Sequence, residues 1–282
     1  MPPHSGKFAV VGSTSTTKGW TIEESNAATA YTTSNLQCGT GRSKGVHDWT
    51  GTVTGHGGLP PYLAGESFSF VGYTAPEDDV SGNGWTASGT AVVSSVAITW
   101  DFSGASVLSY VITFGGDGAL SWALGTTTDS TDVIAEAICG VEIKNDTTAF
   151  ADVSQCVFTL TSDVQTYVNS STSVAGKCWT KRKAGKIDWT VALTQECNVR
   201  DGLTNAPAQG TDVKLRLYID GTDFWDLQWG HVMGYAGLTA DTDSGALIGR
   251  TINFSMNGFN VTLGTITAPG AADPFWGTDT TP

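Results

Sequence analysis

The chain contains one block of sequence twice. A shift of 140 residues lays CGTGRSKGVHDWTGTVT (38–54) on CWTKRKAGKIDWTVALT (178–194) without a gap. Cys38 falls on Cys178, Thr40 on Thr180, Arg42 on Arg182, Gly45 on Gly185, Asp48-Trp49-Thr50 on Asp188-Trp189-Thr190, and Thr54 on Thr194. Ordinary residue usage would give about one chance identity in such a block, and Trp and Cys are rare. A repeat fixes the architecture before any strand is assigned. The 282 residues divide into two units of common domain size, so the expected domains are 1–143 and 144–282.

Two further blocks extend the correspondence. Gly65 and Gly210 each precede an alternating run, ESFSFVGYT and TDVKLRLYIDGT, and ITWDFSG (98–104) aligns with INFSMNG (252–258). The last alignment pairs Ile98 with Ile252, Trp100 with Phe254, Phe102 with Met256 and Gly104 with Gly258. The runs have the period of a half-buried strand: Val213, Leu215, Leu217 and Ile219 point one way, with Lys214, Arg216 and Tyr218 the other. Phe68 and Phe70 share a face, as do Ile98, Trp100 and Phe102. Abundant Thr, Ser and Gly favour strands and tight turns. The expected fold is all-β: two tandem homologous domains of β-sandwich or barrel-like form, with at most one short helix each. The one helical pattern is STDVIAEAICG (130–140), capped by Ser130 or Thr131, striped by Val133, Ile134, Ala137 and Ile138, and ended by Gly140.

Charge limits the partners. Fourteen basic against 27 acidic residues give a formal net charge of -13, which repels a phosphate backbone. The same charge serves plain solubility or a wall past which nucleic acid slides. The N-terminal residues lack an apolar core of signal-peptide length, and no run reaches membrane-spanning length, so a soluble chain made in a cytosol is expected. Cys38, Cys139, Cys156, Cys178 and Cys197 lie too far apart for a CxxC pair and are odd in number; buried free thiols are the expectation.

No local pattern carries catalytic chemistry. His4, His47, His56 and His231 form no HExxH, HxH or Cys/His zinc spacing, and no GxSxG elbow supplies a nucleophile. In HDW, His47 and Asp48 are adjacent and would face opposite ways on a regular strand. Glu66, Glu77, Asp78 and Asp79 offer carboxylates near aromatic residues, and 76–84 offers oxygen ligands without EF-hand spacing. The expectation is no catalytic residue, no metal and no cofactor.

The residues that anchor the repeat are therefore structural candidates: Cys38, Arg42, Gly45, Asp48 and Trp49, with Cys178, Arg182, Gly185, Asp188 and Trp189. The two tryptophans read as core anchors rather than as surface stacking platforms, because a large ring buries much area. Asp48 and Asp188 could each pair with the arginine six residues earlier, Arg42 and Arg182, or remain solvated.

KGVHDWTGTVTGHG…LAGESFSFVGYT and AGKIDWTVALTQEC…GTDVKLRLYIDGTDFWDLQWGHVMG resemble the tail tube, or major tail, proteins of long-tailed bacteriophages. The resemblance spans about three blocks in each half, and GHVMGY (230–235) has no clear first-half match. It implies β-sandwich domains that close side by side into rings and stack into a tube for genome passage. A chain with two such domains would form a trimeric ring with pseudo-sixfold symmetry. Its partners would be copies of itself, other tail proteins, and DNA passing an acidic lumen without specific binding. It would reside in the virion and touch no membrane. The polar stretches 72–92 and 196–211 would be loops between stacked rings. The runners-up are a capsid decoration protein or tail terminator and, from another class, a tandem carbohydrate-binding module presenting Trp225, Trp229 and Trp276 to sugars.

Overall fold

The computed structural model of the chain describes residues 4–6, 8–11, 17–28, 30–31, 41–43, 45–57, 59–74, 84–102, 108–124, 142–168, 173–174, 177–197, 207–219, 223–239, 248–257 and 276–278. The described residues are all-β and include no helix. The helical pattern at 130–140 lies outside them, as do Cys38, Cys139, the cluster at 77–79 and most of the 76–84 loop.

The first half supplies β1 (His4–Gly6), β2 (Phe8–Val11), β3 (Thr17–Ala27), β4 (Ala30–Tyr31), β5 (Gly41–Arg42), β6 (Val46–His56), β7 (Ser67–Tyr73), β8 (Trp85–Asp101), β9 (Leu108–Gly116) and β10 (Ser121–Leu124). The second supplies β11 (Ile143–Asn145), β12 (Thr148–Ala149), β13 (Val153–Ser162), β14 (Gln165–Tyr167), β15 (Ser173–Val174), β16 (Lys177–Trp179), β17 (Lys181–Lys183), β18 (Ile187–Cys197), β19 (Asp212–Tyr218), β20 (Asp223–Thr239), β21 (Ile248–Met256) and β22 (Trp276–Thr278).

Alternation sets which faces are buried. On β6, Trp49, Gly51, Val53 and Gly55 are buried while Thr50 is exposed. On β19, Val213, Leu215 and Leu217 are buried as their period requires; Tyr218 is buried too, because the strand ends there, and Ile219 lies beyond it. Phe68, Phe70, Ile98 and Trp100 are buried, and Phe102, just past β8, is partly so. The buried side chains of both halves form one continuous cluster.

Two sets of strands pair in the same order. In the first half the order is β3-β6-β9-β8-β7-β2, and in the second it is β13-β18-β21-β20-β19-β11. Lengths correspond as well: β6 and β18 have 11 residues, β7 and β19 have 7, β8 and β20 have 17, and β9 and β21 have 9. Short β10 and β22 lie on the first residues of β8 and β20. Register shifts fall at Val93/Ser95 in β8 and at Val232/Gly234 in β20. Gly65 and Gly210 both hold positive φ, 90° and 81°, and donate to Val93 and Val232 respectively.

These pairings correct three expectations. ITWDFSG ends β8 whereas INFSMNG ends β21, and β21 occupies the place of β9, so the third aligned block joins strands that are not counterparts. GHVMGY lies in β20, where its first-half counterpart is the middle of β8. The stretch 72–92 is not one loop, since β8 begins at Trp85.

The halves differ at their edges. In the first, β2 lies on β7 and the preceding β1 lies on β3, so the N-terminal segment bridges the strip's two edges and closes it as a barrel does. In the second, the outer edge of β13 is covered by β8 of the first half.

Candidate functional site: the joint between the two halves

Strands in globular proteins usually run about 3–10 residues; β8, at 17, is long enough to serve two neighbours along one edge. Thr86–Val92 pair with β7, and Ser95–Asp101 continue onto β13, from Ser95↔Thr161 to Asp101↔Gln155. The sheet of one half thus runs into the sheet of the other. Trp100, fully buried, fixes the register by donating its indole N–H to the carbonyl of Tyr218 at 2.7 Å.

A second element crosses the joint. β16 runs parallel to the start of β6, with Cys178↔Val46 and Trp179↔His47. The Trp179 ring packs on His47 with centroids 5.1 Å apart, and the Thr180 N–H donates to the His47 carbonyl at 2.9 Å. This strap delivers Arg182 onto Asp48. Its guanidinium gives a two-pronged bond, Nη1 to Oδ1 at 2.8 Å and Nη2 to Oδ2 at 2.7 Å, the planar match that makes Arg–carboxylate pairs directional. Nη1 also donates to the Gly116 carbonyl. The Arg182 N–H donates to Asp117 Oδ1 at 2.8 Å, and Lys181 Nζ donates to the Asp117 carbonyl at 3.1 Å. The Arg182 side chain keeps only 7% of its exposure. Burial of this depth needs room: a Cβ at Gly115 would collide with the guanidinium, and one at Gly116 with the Trp49 ring.

Asp48 therefore neither pairs with Arg42 nor stays solvated, the two readings that the sequence left open. Spacing along the chain suggested a local bond, but the strap carries the second half's arginine to the first half's aspartate. Arg42 and Asp188 are both exposed, and neither has an ion-pair partner among the described residues. Each aspartate does hold its own strand: Oδ1 accepts the N–H of the next tryptophan, at 2.9 Å for Asp48–Trp49 and 2.8 Å for Asp188–Trp189.

The remaining repeat residues pack. Trp49 and Trp189 are each 1% exposed, core residues rather than platforms. Trp49 sits against Phe70 and Phe114 and donates its Nε1–H to the Gly118 carbonyl at 2.9 Å. Trp189 sits against Phe158, and its Nε1 is buried with no partner among the described residues. Gly45 and Gly185 let the backbone pass close to the end of the neighbouring strand, where a Cβ would meet Asn26 and Ala27 of β3 or the carbonyl of Asp163, just past β13. Cys178 is free and exposed, which corrects the expectation of buried thiols; Cys156 is free and fully buried, and burial pushes its thiol pKa far up. Trp225 is 3% exposed against Phe158, so it offers no platform for a sugar.

One cluster has the outline of a catalytic site. Asp212, His231 and Ser255 lie side by side on β19, β20 and β21. His231 Nδ1 and Asp212 Oδ1 are 2.8 Å apart, and Asn257 Nδ2 donates to the same oxygen at 2.8 Å. These bonds, the His231 one foremost, hold the Asp212 carboxyl below its usual pKa. Ser255 makes no hydrogen bond to His231 among the described residues, His231 is half-buried and Asp212 exposed, so the three are not joined as a hydrogen-bonded relay there. Glu66 caps a turn, accepting the Leu63 N–H at 2.8 Å. Among the described residues no group of three or more His, Cys, Asp or Glu could hold a metal ion, and no helix is long and apolar enough to cross a membrane.

Asp117 is a joint residue without a signal in the sequence, and Trp100 was expected on a strand face but not as a donor across the joint. Thr180 was within reach of sequence reasoning as a member of the repeated block. No protein-family model matches the chain, and no curated protein matches it significantly.

Proposed function

We propose that the chain is a structural protein of a phage tail, a duplicated β unit that assembles into rings stacked as a tube for genome passage. The observation that carries this is the continuation of β8 of one half onto β13 of the other. Two units with the same strand order meet through different strands, the edge of β8 in one against the edge of β13 in the other, and such heterologous contacts build rings or filaments. Pairing edge strands with a neighbour also removes an aggregation hazard.

The two units derive from one ancestral domain, and Ile143, which opens β11 on β19, goes with the second. Three chains give six units, a trimeric ring with pseudo-sixfold symmetry. The net charge of -13 keeps passing DNA from adhering to the wall. Other tail proteins cap the tube's ends, and the task is assembly rather than catalysis.

Negative-stain electron microscopy of the purified chain across a concentration series tests the reading. Rings or tubes with a central channel are the expected outcome. Monomers alone, after prolonged incubation at the highest concentration, would sink it.

A further inference from the structure

The joint inside the chain is one-directional. Had a two-fold axis related the halves, Arg42 would meet Asp188 just as Arg182 meets Asp48. Among the described residues only the second of these contacts forms. A head-to-tail relation leaves Arg42 and Asp188 without the contact their counterparts make among the described residues, and we propose that a second copy of the chain supplies it: Arg42 of one copy closes on Asp188 of the next. This rests on the self-assembly reading above and assigns its interface.

Four observations converge on the same surfaces. The Asp188 carboxylate is already posed as Asp48 is, with one oxygen on the N–H of the following tryptophan. Arg42 stands exposed at the repeat position of Arg182. On β20, the counterpart of β8, Gly234–Thr239 has no strand partner on the β19 side among the described residues; in β8 the corresponding stretch carries β13. Tyr235, counterpart of fully packed Val96, is 40% exposed there, and neighbouring Met233 is 56% exposed. Finally, Trp49 Nε1 is satisfied by the Gly118 carbonyl, and Gly118 is itself gripped through its N–H by Thr180 of the strap. The Nε1 of Trp189 is buried with no partner among the described residues.

Two differences make the contact between chains weaker than the one within. Ser255 pairs with Thr190 as Gly115 pairs with Thr50, so a side chain occupies the room that lets Arg182 lie flat. Arg42 consequently approaches Asp188 from the solvent side, and the pair is more open to screening by salt. β1 also covers Trp20–Ile22 of β3. The register of the internal joint sets Gly234–Ala236 of one copy against Ser25–Glu23 of the next, the part that β1 leaves free.

The test is charge exchange. Arg42→Asp, Asp188→Arg and the double variant R42D/D188R are compared with the unaltered chain by sedimentation velocity and microscopy over a concentration series. Each single change places like charges together and raises the half-assembly concentration at least about tenfold. The double variant rebuilds the pair with its signs exchanged at every contact, whatever the ring order, and returns to within about threefold of the unaltered chain. Both positions are exposed, so all variants stay folded: Arg42→Asp keeps the unaltered melting temperature, and the two variants with Asp188→Arg lose only the bond from the Trp189 N–H and share the same small decrease. An unaltered chain that assembles while either single variant assembles equally well overturns the interface and leaves the self-assembly reading standing. Failure of the folded double variant to recover does the same. An unaltered chain that never assembles overturns both.

Discussion

The two halves follow one plan and are finished differently. Asp48 and Asp188 each hold the start of an 11-residue strand through the same bond to the next tryptophan. Among the described residues only Asp48 of the two carries a guanidinium, and only Trp49 of the two has a partner for its indole N–H. What differs between the copies is therefore what a neighbour contributes. The first half is completed by the strap of the second, and no described residue does the same for the second.

The largest effects test whether the tryptophans are equal as core and unequal as hydrogen-bond donors. Trp49→Ala and Trp189→Ala should each cost about 3–5 kcal/mol by removing a fully buried ring, measured by urea unfolding of the unassembled chain. The sharper comparison is Trp to Phe, which keeps most of the ring. Trp49→Phe strands the Gly118 carbonyl and should cost about 1 kcal/mol more than Trp189→Phe. Equal costs would mean that the Gly118 bond contributes nothing to stability.

The acidic pair comes next. Asn keeps an oxygen for the tryptophan N–H, so the change to Asn isolates the charge. Asp48→Asn leaves the buried Arg182 without its counter-ion and should cost about 2–3 kcal/mol, at the low side for a buried pair because Asp48 is partly exposed. Asp188→Asn should stay within about 0.5 kcal/mol in the unassembled chain. A comparable loss at Asp188 would show that an arginine closes on it within one chain.

Much of this plan could be read from residues, and the reason it was incomplete is physical. Alternation marked Val213, Leu215 and Leu217 as one buried face, and the repeat placed Trp49 and Trp189 in equivalent cores. Alternation is the same in any half-buried strand, however, and says nothing about which strand lies beside it. ITWDFSG and INFSMNG consequently looked like counterparts although one ends β8 and the other β21. The error at Asp48 has a different source. A repeat contains every contact twice, once within a copy and once between copies, and sequence spacing does not separate the two. Only the path of the strap through Cys178 and Trp179 decides it.

The smallest expected effect concerns a feature that the second half alone possesses. Asp212 opens β19 where the first half has Ser67 at the start of β7, and its hydrogen bonds from His231 and Asn257 lower its pKa in the folded chain. A carboxyl with a depressed folded pKa contributes stability above the ordinary carboxylate value, about 4. That contribution is lost as pH falls through the lower folded value. Melting temperatures of the unaltered chain and of Asp212→Asn should therefore differ most near neutral pH, with the unaltered chain higher, and converge in acid. Because the group is exposed, solvent screens the bonds and the gap is small. A gap that widened with acidification would mean that the protonated form is the one favoured by folding, contrary to the geometry around His231. A pH-independent gap would attribute the effect to shape alone and erase this distinction between the halves.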